Sequence, residues 1–223
     1  MLITISNLLD GDHLTLLRGL TPALIWKDGA GTAGHVAKQV KHNHQADLAS
    51  GTGHKVEQIL CGAVTGNAVL NAAAIPHRFS KFLLSKTETG GGYGLHIDNP
   101  FMQREAAPMR TDLSFTLFLS SPEDYAGGEL VIEHAGQTHA LKGEAGDLVL
   151  YPSTSLHKVA TVTSGVRLAC VGWIESRIRD AADRETLFDL SNLQAELHPR
   201  LEAQSAEMLI LSKVIANLKR RFS

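Results

Sequence analysis

The chain has 223 residues, 43% of them hydrophobic and 20% charged, which suits one globular domain with a full core. Its formal net charge of -2 gives no electrostatic reason to expect nucleic acid or an anionic membrane as partner. Two cysteines, Cys61 and Cys170, lack CxxC spacing and exclude a zinc knuckle or redox dithiol. No apolar stretch approaches ~20 residues, and the N-terminus lacks a basic region followed by an apolar run, so the expectation is a cytoplasmic protein.

Three zones follow in chain order. The first, 1–77, is a support region with a short strand (Leu2 to Ile5) and a helix capped by Asp10 or Asp12. Helical patterns recur around Val56 to Leu60 and Val69 to Ala74. Between them, Gly29 to Gly53 is rich in Gly, His, Lys and Asn, which predicts an exposed loop. His35, His42, His44 and His54 within 35–54 are spaced irregularly, and solvated histidines explain them better than a second metal site. Gly51-Thr-Gly53 lacks the third glycine of a dinucleotide fingerprint.

The second zone, 78–176, changes character. Short alternating runs, among them DLSFTLFLS (112–120), ELVIEH (129–134), DLVLYP (147–152) and GVRLACVGWI (165–174), are separated by Gly, Pro, Asp and Ser. Strands of this length and spacing point to an antiparallel sandwich or barrel. His134 and His139 flank Gly136 in an expected hairpin, and Gly127-Gly128 marks a turn entering a strand. Gly90-Gly-Gly is either a lid or a plain loop.

The third zone, 177–223, is helical. Leu201, Met208, Leu211, Ile215 and Leu218 form one apolar face, and Pro199 separates it from a helix over Ala181 to Leu197. This stripe packs on the β core or on a second subunit, so a homo-oligomer through the C-terminal helices is possible. Lys219-Arg220-Arg221 is a solvated helix end.

The strongest chemical signal lies in GGGYGLHIDNP (90–100). Side chains two apart on a strand share a face, so His96 and Asp98 project together while Leu95 and Ile97 face away. HxD alone is weak. His157 follows the strand DLVLYP, and Arg167 heads an apolar strand ten residues later. Two histidines and one carboxylate form the facial triad of non-haem iron(II) oxygenases, with positions left open for ligands. A buried arginine facing Ala169 and Val171 demands an anion, and a dicarboxylate answers it through the guanidinium fork. If His157 and Arg167 lie on paired strands joined near Ser164-Gly165, both face inward only with a three- or five-residue loop or a bulge.

The stretches YGLHIDNPFM, RTDLSFTLFLSSPEDYAGGELVIE, GDLVLYPSTSLHKVATVTSGVRLACVGWI and ESRIRDAADRETLFDL resemble the bacterial PKHD-type hydroxylases. That family is similar to the prolyl 4-hydroxylase group of 2-oxoglutarate oxygenases, and the resemblance runs through nearly the whole chain. It implies a mainly β, α+β architecture: a double-stranded β-helix (jelly-roll) core with N-terminal and C-terminal helices. It also implies Fe(II) on His96, Asp98 and His157, the co-substrate 2-oxoglutarate on Arg167, and L-ascorbate as reductant. Molecular oxygen and 2-oxoglutarate would be consumed, giving succinate and a hydroxylated product. Tyr93 resembles the tyrosine preceding HxD and would line the site. One departure stands out: the strand Leu113–Leu119 lacks the tyrosine that helps bind the distal carboxylate in prolyl hydroxylases, leaving Thr116 or a water for that role, or Arg167 to act without it. The substrate stays open among a peptide, an amino acid, a siderophore-like molecule or another metabolite. A non-catalytic metal or small-molecule binding β-barrel, and an interaction protein with a decayed site, are the rival readings.

Overall fold

The computed structural model describes residues 1–32, 37–103 and 107–223. Strand β1 (Ile3–Ile5) leads into helix α1 (Gly11–Leu20), followed by β2 (Trp26–Asp28), β3 (Lys41–His42) and β4 (His44–Ala46). Helices α2 (Gly51–Gly66) and α3 (Ala68–Ala74) precede β5 (Pro76–Phe79), β6 (Leu83–Glu88) and β7 (Gly92–His96). Next come β8 (Phe101–Met102), β9 (Met109–Arg110), β10 (Leu113–Phe118), β11 (Tyr125–Gly127), β12 (Leu130–His134) and β13 (Gln137–Leu141). Strands β14 (Leu148–Pro152), β15 (His157–Val159) and β16 (Val162–Ser176) complete the core, and α4 (Ala181–Leu197) and α5 (Ala206–Phe222) close the chain.

Local chemistry sets the helix starts. Asp10 caps α1 by accepting from the His13 amide, so of the two candidate aspartates the earlier one serves. Ser50, Asn67, Asp180 and Ser205 cap α2, α3, α4 and α5 in the same way.

The strands form an antiparallel double-stranded β-helix. The larger sheet runs β1-β14-β10-β16-β6-β4-β2, with β5 and β11 also pairing β16; the smaller runs β13-β12-β15-β7-β3. β10 is buried on both faces. Leu113, Phe115 and Leu117 pack with Leu60, Val64 and Leu70 of the helices, while Ser114 and Thr116 face the space between the sheets. Gly172 on β16 makes room for this packing: a Cβ there would lie 2.6 Å from the Phe115 ring.

Three expectations change. The segment Gly29 to Gly53 is no plain loop: it supplies β3 and β4 and starts α2. His42 and His44 face outward and are exposed, as is His54, whereas His35 lies outside the described residues. The hairpin expected at Ser164-Gly165 is absent, because β15 and β16 belong to different sheets and the chain crosses between them at Ala160-Thr161. A bulge is present instead in the pairing of β16 with β11, where the register shifts between Ala126 and Gly127. Leu201 precedes α5 and so stands off its helical stripe. Met208 and Ile215 are the buried residues of α5, and the contacts of Ile215, Leu211 and Leu218 are with Ile178 and Leu187, so α4 and the end of β16 cover this face within one chain.

The hairpin β12–β13 is as expected, with Ala135 and Gly136 both at positive φ in a two-residue turn. The Gly90-Gly91 turn carries the chain from β6 in one sheet to β7 in the other. No helix among the described residues is long and apolar enough to cross a membrane.

Candidate metal centre and co-substrate pocket

The pocket opens between the two sheets and spans about 900 Å³ of space, its mouth and the adjoining solvent included. His96 and His157 are direct cross-strand partners on β7 and β15, their ring centroids 4.3 Å apart. Asp98 continues the inward alternation of β7 two residues on, while Leu95 and Ile97 are exposed on the other face. One ligand atom from each of His96, Asp98 and His157 lies within 4.8 Å of the others. Among the described residues, this is the one group of three or more such side chains placed to hold a metal.

Backbone carbonyls orient both imidazoles. Nδ1 of His96 donates to Gly94 O at 2.8 Å, and Nδ1 of His157 donates to Ser155 O at 3.0 Å. A carbonyl can only accept, so the proton sits on Nδ1 and each Nε2 lone pair is free for a metal. Burial and the neighbouring His157 pull the His96 pKa down to about 4, which keeps the ring neutral as a ligand must be. Oδ2 of Asp98 accepts from Ser114 Oγ, which in turn shares a hydrogen with Ser153 Oγ. Tyr93 stacks on His96 at 3.6 Å, and burial beside Asp98 pushes its phenol up to about 12. The two imidazole nitrogens and one carboxylate, pre-aimed by these contacts, fit a divalent iron with open positions.

Arg167 projects from β16 into the same pocket and is 2% exposed. Its guanidinium stands 5.5 Å from the Phe118 ring centroid, and among the described residues Nε and Nη2 have no hydrogen-bond partner. Tyr125 lies close but forms no aligned bond, its own hydroxyl being unsatisfied. Burial lowers the pKa of Arg167, against the pull of Tyr125 and Tyr151. An uncompensated guanidinium this deep costs several kcal/mol unless an anion meets it. Gly128 makes space for the stem, since a Cβ there would lie 3.1 Å from Arg167 Cδ, and its φ of +70 suits glycine.

Tyr151, on β14, was hidden in the run DLVLYP. It is 4% exposed and lines the pocket beside Thr116 and Arg167, so a phenol does reach this end, from the strand next to β10. Burial and Asp98 push its pKa up, with Thr116 and Arg167 opposing, which keeps it a neutral donor. The sequence also concealed Lys41, Asn43 and Gln45, whose period-two spacing places all three on the pocket wall.

A jelly-roll with this donor set and a buried arginine defines the class of iron(II)- and 2-oxoglutarate-dependent oxygenases. Residues 82–175 match the 2OG-Fe(II) oxygenase superfamily model. A PKHD-type hydroxylase of Hyphomonas neptunium is 50% identical over 222 residues, covering 100% of this chain and 99% of the relative. One from Synechococcus elongatus is 45% identical with both chains fully covered. The chain belongs to the PKHD-type hydroxylase family. A prolyl hydroxylase from Trichoplax adhaerens, solved with a hypoxia inducible factor peptide, shares the fold at a TM-score of 0.58 and 18% identity, covering 85% of this chain and 86% of that one. The protein is an Fe(II)- and 2-oxoglutarate-dependent hydroxylase.

Proposed function

We propose that His96, Asp98 and His157 hold the iron and that Arg167 anchors the 5-carboxylate of 2-oxoglutarate. The observation that carries this reading is the fully buried guanidinium with two unpaired N–H groups, sharing one pocket with the triad. Bound iron supplies the chemistry that couples decarboxylation of 2-oxoglutarate to succinate with insertion of oxygen into a substrate C–H bond.

The chain's own residues bind and orient. Gly94 O and Ser155 O fix the imidazoles, Ser114 fixes the carboxylate, and Tyr151 with Thr116 offers hydroxyls beside Arg167 to the same distal carboxylate. L-ascorbate serves as the reductant that keeps the iron ferrous, and the protein works in the cytoplasm, where 2-oxoglutarate is a central metabolite. Anaerobic addition of Fe(II) and 2-oxoglutarate tests the assignment. A weak visible charge-transfer band is expected, lost in Arg167→Met but with metal retained. No band in the wild type, and no succinate on admitting oxygen, rejects it.

A further inference from the structure

Lys41 is the second buried cation of the pocket. It is 7% exposed, and among the described residues it forms no ion pair within 4 Å and one hydrogen bond, from Nζ to Thr32 Oγ1 at 2.8 Å. The ammonium lies 5.1 Å from the centroid of the Tyr93 ring, its cross-strand partner. Thr32 Oγ1 also lies 2.9 Å from Gln45 Oε1, which leaves the Gln45 amide nitrogen free to donate. Trp173 Nε1, on the same pocket, is buried without a partner among the described residues.

Arg167 and Lys41 serve different ends of this space. Arg167 rises from β16 in the larger sheet against the Phe118 ring, whereas Lys41 sits on β3 in the smaller sheet, over the Tyr93 ring that stacks on His96. Tyr151 lies 5.1 Å from the His157 ring and lines the same pocket. On the proposed reading of the site, ferrous iron, Asp98, Arg167 and the two carboxylates of 2-oxoglutarate cancel in charge. Lys41 then remains, among the described residues, as one uncompensated positive charge in a low-dielectric wall, on a pocket it shares with the unpaired indole N–H of Trp173.

We propose that Lys41, with Gln45 beside it, binds a carboxylate of the primary substrate, so that the molecule hydroxylated here is a carboxylic acid. The carboxylate has two possible sources, a free amino acid or the C-terminus of a short peptide. The proposal rests on the assignment of iron and 2-oxoglutarate above, and the experiment separates the two.

The protein is first loaded with Mn(II) and 2-oxoglutarate, and loading is verified by its own thermal shift. The complex is then titrated with the free amino acids and their carboxamides, and with N-acetyl dipeptides bearing free or amidated C-termini. Free acids of one arm are expected to bind, with their amides weaker by about thirty-fold. Lys41→Met should lose the same factor for the acids and bind the amides as wild type does, while Lys41→Arg recovers part of the loss. Equal binding of acids and amides, or no acid binding at millimolar concentration, overturns the proposal. So does a loss of 2-oxoglutarate affinity in Lys41→Met as large as that in Arg167→Met, which would make Lys41 a co-substrate residue. Failure of the initial loading instead removes the assignment on which the proposal rests.

Discussion

Ser114 Oγ lies 2.6 Å from Oδ2 of Asp98, bridging from the larger sheet to the carboxylate that follows β7 in the smaller one. This contact fixes the carboxylate without consuming both of its oxygens. Removing such an orienting partner costs about 10–100-fold in metal affinity. Ser114→Ala should therefore weaken Mn(II) binding by that factor while far-ultraviolet circular dichroism stays unchanged. Wild-type affinity in the variant would show that Asp98 needs no support.

Arg167 combines an energetic burden with the binding role proposed above. Arg167→Met removes a buried charge that nothing among the described residues neutralises, so the metal-free variant should melt no lower than wild type. Its 2-oxoglutarate affinity should fall by about two orders of magnitude or more, since truncating one partner of a buried charge pair costs about 2–5 kcal/mol. Calorimetric titration and thermal melts measure both. A large drop in melting temperature with intact binding would contradict this account.

Tyr151→Phe keeps the ring that fills the gap beside His157 and deletes the hydroxyl near Arg167. A hydrogen bond to a charged group contributes about 1.5–3 kcal/mol, so the dissociation constant for 2-oxoglutarate should rise by roughly ten-fold or more. An unchanged constant would assign the distal carboxylate to Arg167 and Thr116 alone.

The pKa of His96 is about 4 in the folded protein against an ordinary 6.5, because burial and His157 oppose its charging. Between these values the unfolded chain holds a proton that the folded one does not, so acidification favours unfolding. This contribution is fully present above pH 6.5 and is lost as pH falls through about 4. Melting temperatures of the metal-free protein should decline across that window, and the decline should shrink in His96→Asn. Matching profiles for the two proteins would refute the link to His96.

Gly128→Ala tests the cradle of Arg167. An added Cβ would sit 2.9 Å from the Tyr125 ring and 3.1 Å from the arginine stem, at a φ of +70. The strain costs about 1–3 kcal/mol. A lower melting temperature and weaker 2-oxoglutarate binding should appear together, as read by thermal melts and titration.

The convergence of His96, Asp98, His157 and Arg167 on one pocket could be read from the chain because strand alternation is a strong constraint, and each lies in or beside a run long enough to display it. Lys41, Asn43 and Gln45 obey the same alternation, but β3 and β4 span only Lys41–His42 and His44–Ala46 amid glycine and polar residues. Pairing with β7 and β6, rather than any local propensity, makes them strands. Tyr151 escaped notice for the opposite reason: β14 is buried on both faces, so its apolar run gives no sign of which side meets the pocket. The assumed hairpin between His157 and Arg167 failed because strands adjacent in sequence can enter opposite sheets of a jelly-roll.

The short passage Lys41–Ala46 straps one sheet to the other at Asn43, and it lies outside residues 82–175, which hold the triad and Arg167. The reactive centre and the wall facing it are thus carried by separate stretches of chain. A graft exchanging residues 26–46 between relatives would replace what is recognised while leaving intact what reacts. Substrate preference in such a scaffold can diversify by editing a strap, with the engine beneath it untouched.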